Sequence, residues 1–133
     1  MGQVEWLPMS HGRFIAVRIA GDIRKDSWDE FDQRLAATIE RERLVRLMVL
    51  TEDAVLPKPG AVLRGLAFTW THSEAIERIA FVGGWGAGVR ALATELFSRS
   101  VVKGFPKNQS AEAWIWLHQD DPGIYRPVPL QAG

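Results

Sequence analysis

The sequence predicts an α/β domain: a mixed, mostly parallel sheet of about five strands with about four helices around it. Three observations carry this expectation. The apolar run Ile79–Val82 passes through Gly83-Gly84 into Trp85 and an amphipathic stretch, which is one strand-to-helix half of a parallel unit. After an N-terminal pair of β segments, helical stripes alternate with β runs, so the order reads β-β-α-β-α-β-α-β-α, with right-handed crossovers expected between parallel strands. The composition is that of a globular domain, with 47% hydrophobic and 24% charged residues in 133, long enough to bury roughly two-thirds of its unfolded surface.

Each element has a local reason. Val4–Leu7 and Phe14–Ile19 read as β segments separated by the turn residues Ser10-His11-Gly12. In the second, Ile15, Val17 and Ile19 alternate with Ala16, Arg18 and Ala20, the pattern of a half-buried strand. Ser27-x-x-Glu30 has the form of a capping box, and Trp28, Phe31, Leu35 and Ile39 make one helical stripe behind it. Leu44–Leu50 is an apolar run broken by Arg46, as expected of a strand buried on both faces. Pro57 and Pro59 keep Thr51–Gly60 irregular. A second helix is expected over Ala61–Ser73, with Leu63, Leu66, Ala67 and Trp70 inward. A third is expected over Trp85–Ser98, with Val89, Leu92, Ala93 and Leu96 inward. Val101–Phe105 is a last short strand, stopped by Pro106, and Ser110 is expected to cap a final helix over Ala111–Gln119. The domain is thus read as residues 1–120, and residues 121–133, with Pro127 and Pro129, as a proline-rich tail.

Composition removes several functions. Sixteen basic residues balance sixteen acidic ones, so no general electrostatic grip on nucleic acid is expected. The absence of cysteine excludes disulfides, thiolate metal sites and cysteine nucleophiles, and it is compatible with a reducing cytoplasm. Met1–Pro8 lacks the pattern of a secretory leader, and no apolar run has the length of a membrane span. Six tryptophans are many for this length; they supply buried core area, or one or two of them face a pocket or a partner.

The candidate sites are few. Gly84, Trp85 and Gly86 open the third helix, where free amides and the helix dipole favour an anion. Gly86-x-Gly88-x-x-Ala91 has the form of a dinucleotide turn, but no acidic residue ends the next strand at Phe105-Pro106-Lys107, so nucleotide binding is not expected. Opposite the inner face of the second helix, Ala61, Gly65, Phe68 and His72 make an uncharged stripe suited to a dimer contact, a membrane surface or the outside of a movable gate. Trp114 and Trp116 are two apart and cannot share a helix face, which leaves Trp114 for the tail or a partner. His11, His72 and His118 are scattered without ligand spacing, so no metal site is expected. Glu52-Asp53 ends a core strand at the crevice edge, where such residues more often cap a helix or face water than act as acid or base.

The run His72-x-x-x-Ile76-Glu77-Arg78-Ile79-Ala80-Phe81-Val82-Gly83, with Trp85, Phe105-Pro106 and Glu112-Ala113-x-x-Trp116-Leu117, resembles the SpoIIAA-like family. The likeness runs from about Phe14 to Gln119 and implies the STAS fold, named for sulfate transporters and anti-sigma antagonists, with Trp116 in the core beside Ala113 and Leu117. Two departures stand out. Leu56–Ala61 holds no serine or threonine where anti-sigma antagonists carry a phosphorylatable serine, so no phosphoserine switch is expected there. Gly84 stands where many members have an acidic residue. The family is also similar in fold to CRAL-TRIO domains, which implies an apolar ligand or contact with a membrane surface.

The resulting expectation is a non-enzymatic cytoplasmic binding protein without a cofactor. Its small apolar or amphipathic ligand would lie in a cleft walled by Phe68, Trp70 and Trp85, with transient membrane-surface contact, and Trp85→Ala would weaken binding more than folding. The alternative is an interaction or regulatory module without a small ligand, forming a homodimer or docking a partner through Gly65, Phe68, His72 and Trp114.

Overall fold

Strand β1 (Gln3–Trp6) turns back into β2 (Phe14–Ala20), and helix α1 (Lys25–Glu42) leads on to β3 (Val45–Thr51). A 3-10 turn (Ser73–Ala75) opens β4 (Ile76–Val82); β5 (Val101–Phe105), a second 3-10 turn (Lys107–Gln109) and helix α2 (Ser110–His118) complete the order. The structure is a computed structural model and describes residues 3–20, 25–51, 73–85, 91, 95 and 100–120. The five strands lie side by side in chain order, β1 antiparallel to β2 and every later pair parallel. This is the mixed, mostly parallel sheet that the alternation of β and helical runs predicts.

The period-2 rule splits the strand residues between two faces. Ile15, Val17, Ile19, Leu47, Val49, Ile79 and Phe81 build one core with Phe31 and Leu35 of α1. Phe14, Ala16, Met48, Ala80, Val82 and Phe105 build the other with Ala113 and Leu117 of α2. Helices therefore lie on both faces. This corrects the reading of β2 as half-buried: Phe14 through Val17 are all buried, because α2 covers the face that alternation assigned to solvent.

Three further expectations change. The helix around Phe31 starts at Lys25, so Ser27 is inside it rather than at its cap. The Ser27 hydroxyl instead accepts the Val4 N–H at 2.9 Å and ties α1 to the edge strand, while Asp26 Oδ1 accepts the Ser27 N–H. Ser110 is likewise the first helical residue and not the cap. The preceding 3-10 turn brings the chain into α2, and Gln109 takes the cap position without a side-chain bond. The described residues also form two α-helices, not about four. The helix expected over 61–73 lies outside them up to residue 72, and of the stretch 85–98 only Ala91 and Glu95 are described beyond Trp85, both helical and exposed.

Where β4 ends, Gly83 has φ +111°, and a Cβ there would stand 2.3 Å from the Thr51 carbonyl oxygen. Only glycine lets β3 and the turn after β4 approach so closely. Its N–H donates to Phe105 O, which extends the ladder to β5.

At the opposite end, Arg46 is the polar break in the apolar run of β3 and is 3% exposed. Its Nη1 donates to Leu117 O at 2.9 Å and to Gln119 O at 2.6 Å, Nη2 donates to Asp120 O at 3.2 Å, and Nε to Glu77 Oε1 at 3.1 Å. Arg78 Nη1 donates to Trp116 O at 2.8 Å. A helix leaves its last carbonyls without partners, and here two strand guanidiniums supply them. Arg46→Ala should therefore lower stability by about 3 kcal/mol or more in urea unfolding, since it strands the buried Leu117 carbonyl and removes Glu77's partner. Arg46→Lys should recover little, because a point charge does not span the same acceptors.

Candidate functional site

The side chains with the most chemistry gather at the amino ends of the parallel strands, where the β1–β2 turn meets the C-termini of both helices. The turn is closed by its own backbone: Leu7 N–H donates to Ala16 O, Ser10 N–H to Leu7 O, and His11 and Phe14 exchange N–H···O bonds at 2.9 Å each. The Ser10 hydroxyl accepts the Ala16 N–H and donates to Ala16 O. Gly12, at φ +55°, makes the tip. His11 thus stands on a tight turn and is exposed.

His118 ends α2 directly across from it. The two Nε2 atoms are 3.0 Å apart, and the ring planes lie within 17° of each other. The His118 ring stacks on Phe14 with centroids 3.9 Å apart, and Trp114 meets it edge-on at 4.8 Å. Its Nδ1 is 2.7 Å from Trp114 O. A carbonyl oxygen only accepts, so Nδ1 carries the proton and the Nε2 of neutral His118 is a lone pair. That lone pair takes the proton of His11 Nε2, which fixes both tautomers. Burial lowers the His118 pKa below its ordinary 6.5 and outweighs the Trp114 carbonyl, which acts to raise it; His11 and Arg46 lower it further as like charges.

On the α1 side of the same turn lies a cavity of about 260 Å³, bordered by Trp6, Ser10 and His11 on one side and by Arg34, Thr38 and Arg41 on the other. The Arg34 guanidinium lies 4.5 Å from the Trp6 ring centroid. Arg41 pairs with Glu42 at 3.1 Å, whereas no carboxylate among the described residues pairs with Arg34. The cavity thus offers an aromatic wall and a cation that lacks a carboxylate partner among those residues.

Of the sequence-predicted positions that the structure describes, Trp114 joins this cluster, and Gly84 and Trp85 lie at the other end of the sheet. Gly65, Phe68, Trp70, His72 and Gly86 lie outside the described residues, as do Glu52 and Asp53. Gly84 is half-buried at the carboxyl end of β4. Trp85 is 3% exposed, packs edge-on against Phe81 at 4.8 Å and donates its indole N–H to Val82 O at 3.2 Å. Its backbone N–H donates to Gly83 O, so of the amides expected to face an anion this one is already engaged. Trp114 is half-buried against the α2-side core and the two histidines. Trp116 is half-buried beside Ala113 and Leu117, under the Arg78 guanidinium. The histidines read as scattered are, for His11 and His118, adjacent. Sequence spacing misses a pair 107 positions apart, and the available signal was indirect: a histidine in a glycine turn and another at the end of a helix.

The SpoIIAA-like family matches residues 14–118. The chain belongs to that family. The match runs from β2 to the end of α2 and agrees with the STAS-type sheet. The hairpin strand carrying Trp6 and the turn carrying His11 precede it. Comparison with curated proteins and with solved structures gives no match, and the likeness to CRAL-TRIO domains finds no support. Membership in the SpoIIAA-like family suggests a small regulatory or interaction domain. Among the described residues, no helix is long and apolar enough to cross a membrane.

Two outcomes follow from this geometry. Trp85→Ala should lower stability by about 3–5 kcal/mol in denaturant unfolding, because a packed and hydrogen-bonded core indole is removed; a fold unaffected by the change would contradict that role. His118 is kept neutral in the folded state and binds a proton more readily when unfolded. Its contribution to stability is therefore full above its ordinary pKa of 6.5 and is lost as pH falls through the lower folded value. Unfolding midpoints in chelator-treated buffer should drop across that window, and His118→Gln should flatten the drop.

Proposed function

We propose that this SpoIIAA-like domain is a non-enzymatic binding module for a small amphipathic anion, taken up in the cavity between the β1–β2 turn and α1. One observation carries the reading: an indole and an arginine that has no carboxylate partner among the described residues face the same 260 Å³ space. Ligand sites are mostly apolar with a few placed polar groups, in volumes of about 300–1,000 Å³ for drug-sized molecules, so this space suits a smaller one. The Trp6 ring would cover the apolar part, and Arg34, with Arg41 behind it, would hold the acidic head by charge-assisted hydrogen bonds. The reading keeps the amphipathic ligand expected from the sequence but moves it to the other end of the sheet from Trp85. A cytoplasmic location belongs to the same reading and suits a chain without cysteine.

A second reading, an interaction module that docks a second copy or a protein partner, is favoured by one feature. Ile115 is 60% exposed on α2, next to Trp114. Native mass spectrometry of gently purified protein separates the two. The binding module predicts a monomer with a small added mass that denaturation removes and that Arg34→Ala loses, with affinity weakened about tenfold or more. A dimer without added mass favours docking, and an added mass retained equally by Arg34→Ala and Trp6→Ala rules out this cavity.

A further inference from the structure

The paired imidazoles stand at the border of the cavity, because His11 lines it beside Trp6, Ser10, Arg34 and Arg41. Building on the cavity reading, we propose that anion binding there is coupled to uptake of one proton by the His11–His118 pair. The proton goes to His11 Nδ1 and turns His11 into a further cationic contact for the acidic head.

The ring nitrogens decide where a proton can go. His118 Nδ1–H donates to the Trp114 carbonyl, and the His118 Nε2 lone pair accepts the His11 Nε2–H at 3.0 Å. With centroids 5.2 Å apart and planes within 17°, the two rings lie end to end, the alignment of a good hydrogen bond. Three of the four ring nitrogens are thereby engaged, and among the described residues His11 Nδ1 has no partner. A proton added there leaves the Nε2–H···Nε2 bond intact. The imidazolium then donates through a charged N–H, which strengthens that bond. A proton added at His118 Nε2 would instead set two N–H donors against each other and break the contact. Burial against Phe14 and Trp114 also holds the His118 pKa below its ordinary 6.5, so His118 stays the neutral acceptor.

The surrounding charges set the direction of the coupling. Arg34 and Arg41 of α1 border the cavity across from His11, and Arg46 of β3 acts on His118 as a like charge. Arg13 lies two positions along the turn, and Asp120 beyond the end of α2 is paired with Arg78 at 3.4 Å. Among the described residues no carboxylate lines the cavity. With the cavity empty, a cation at its wall therefore meets other cations. An anion held between Arg34 and His11 reverses this, since an opposite charge within about 4–6 Å favours the charged form. Proton and anion thus reinforce each other, and affinity rises as pH falls through the histidine range.

The test uses benzoate, an apolar ring whose carboxylate does not titrate between about pH 6 and pH 8. Calorimetry of the full chain at about pH 7, in two buffers of different ionisation enthalpy, counts the protons taken up with each benzoate, and nitrogen NMR of the imidazoles locates them. Wild type should take up a fraction of a proton and bind about fivefold or more tightly at about pH 6 than at about pH 8. The NMR should show His11 Nδ1 protonated and His118 Nε2 still bare. His11→Gln, on an exposed turn, should still bind benzoate but more weakly, with neither proton uptake nor the pH dependence. Benzoate binding that needs Arg34 but takes up no proton, or takes it up equally in His11→Gln, would overturn the coupling and leave the cavity reading standing. A proton found on His118 Nε2 would overturn its assigned place. No binding at tens of millimolar benzoate would overturn both readings, because a space open to an anion beside Trp6 and Arg34 should admit this one.

Discussion

The insertion of Arg46 into the end of α2 is the constraint around which the rest of this domain is organised. A guanidinium at the start of a central strand is costly to bury unless its donors are used. Here Nη1, Nη2 and Nε meet the carbonyls of Leu117, Gln119 and Asp120 and the carboxylate of Glu77. The bonds run both ways in consequence. They satisfy the helix end, and they set the height at which α2 crosses the sheet, which brings Ala113 and Leu117 onto Met48, Ala80 and Val82. Since Arg46 grips the residues on either side of His118, it also sets where that imidazole stands relative to the β1–β2 turn.

The sheet was legible in the sequence because its signals are local. The glycine turn after Val82 marks a strand end, and Gly83 proves necessary there because the Thr51 carbonyl leaves no space for a Cβ. The polar break at Arg46 in an apolar run pointed to a strand buried on both faces, which β3 is. Capping was less legible. Ser27 and Ser110 both have the residue type that starts helices, yet Ser27 is drawn off by the backbone of β1 and Ser110 is preceded by a 3-10 turn. A side chain able to cap a helix can equally bond a neighbouring strand, and only tertiary structure decides which.

The site was harder to read for a related reason. Topological reasoning directs attention to the carboxyl ends of parallel strands. At that end the described residues hold a glycine turn and a buried, satisfied indole at Trp85. The polar side chains converge at the other end, where helices finish and a hairpin turns. His11 and His118 carry no shared periodicity, and Trp6 and Arg34 belong to a strand and a helix that meet only through packing. Trp6 and His11 also precede the span matched by the SpoIIAA-like family, whereas Arg34 and His118 lie inside it.

The placement of α2 has a consequence for synthesis. Arg46 and its acceptor at Asp120 are 74 positions apart, and Phe14 lies still farther from Leu117 in the chain. A ribosome delivers β2, β3 and β4 long before the helix that covers their second face. Until α2 emerges, Phe14, Met48 and Val82 form an uncovered apolar strip on a partly built sheet, the kind of surface that draws nascent chains into association. Completion of the domain thus depends on α2, and a nascent chain cut short before Ser110 would be left sticky rather than merely incomplete.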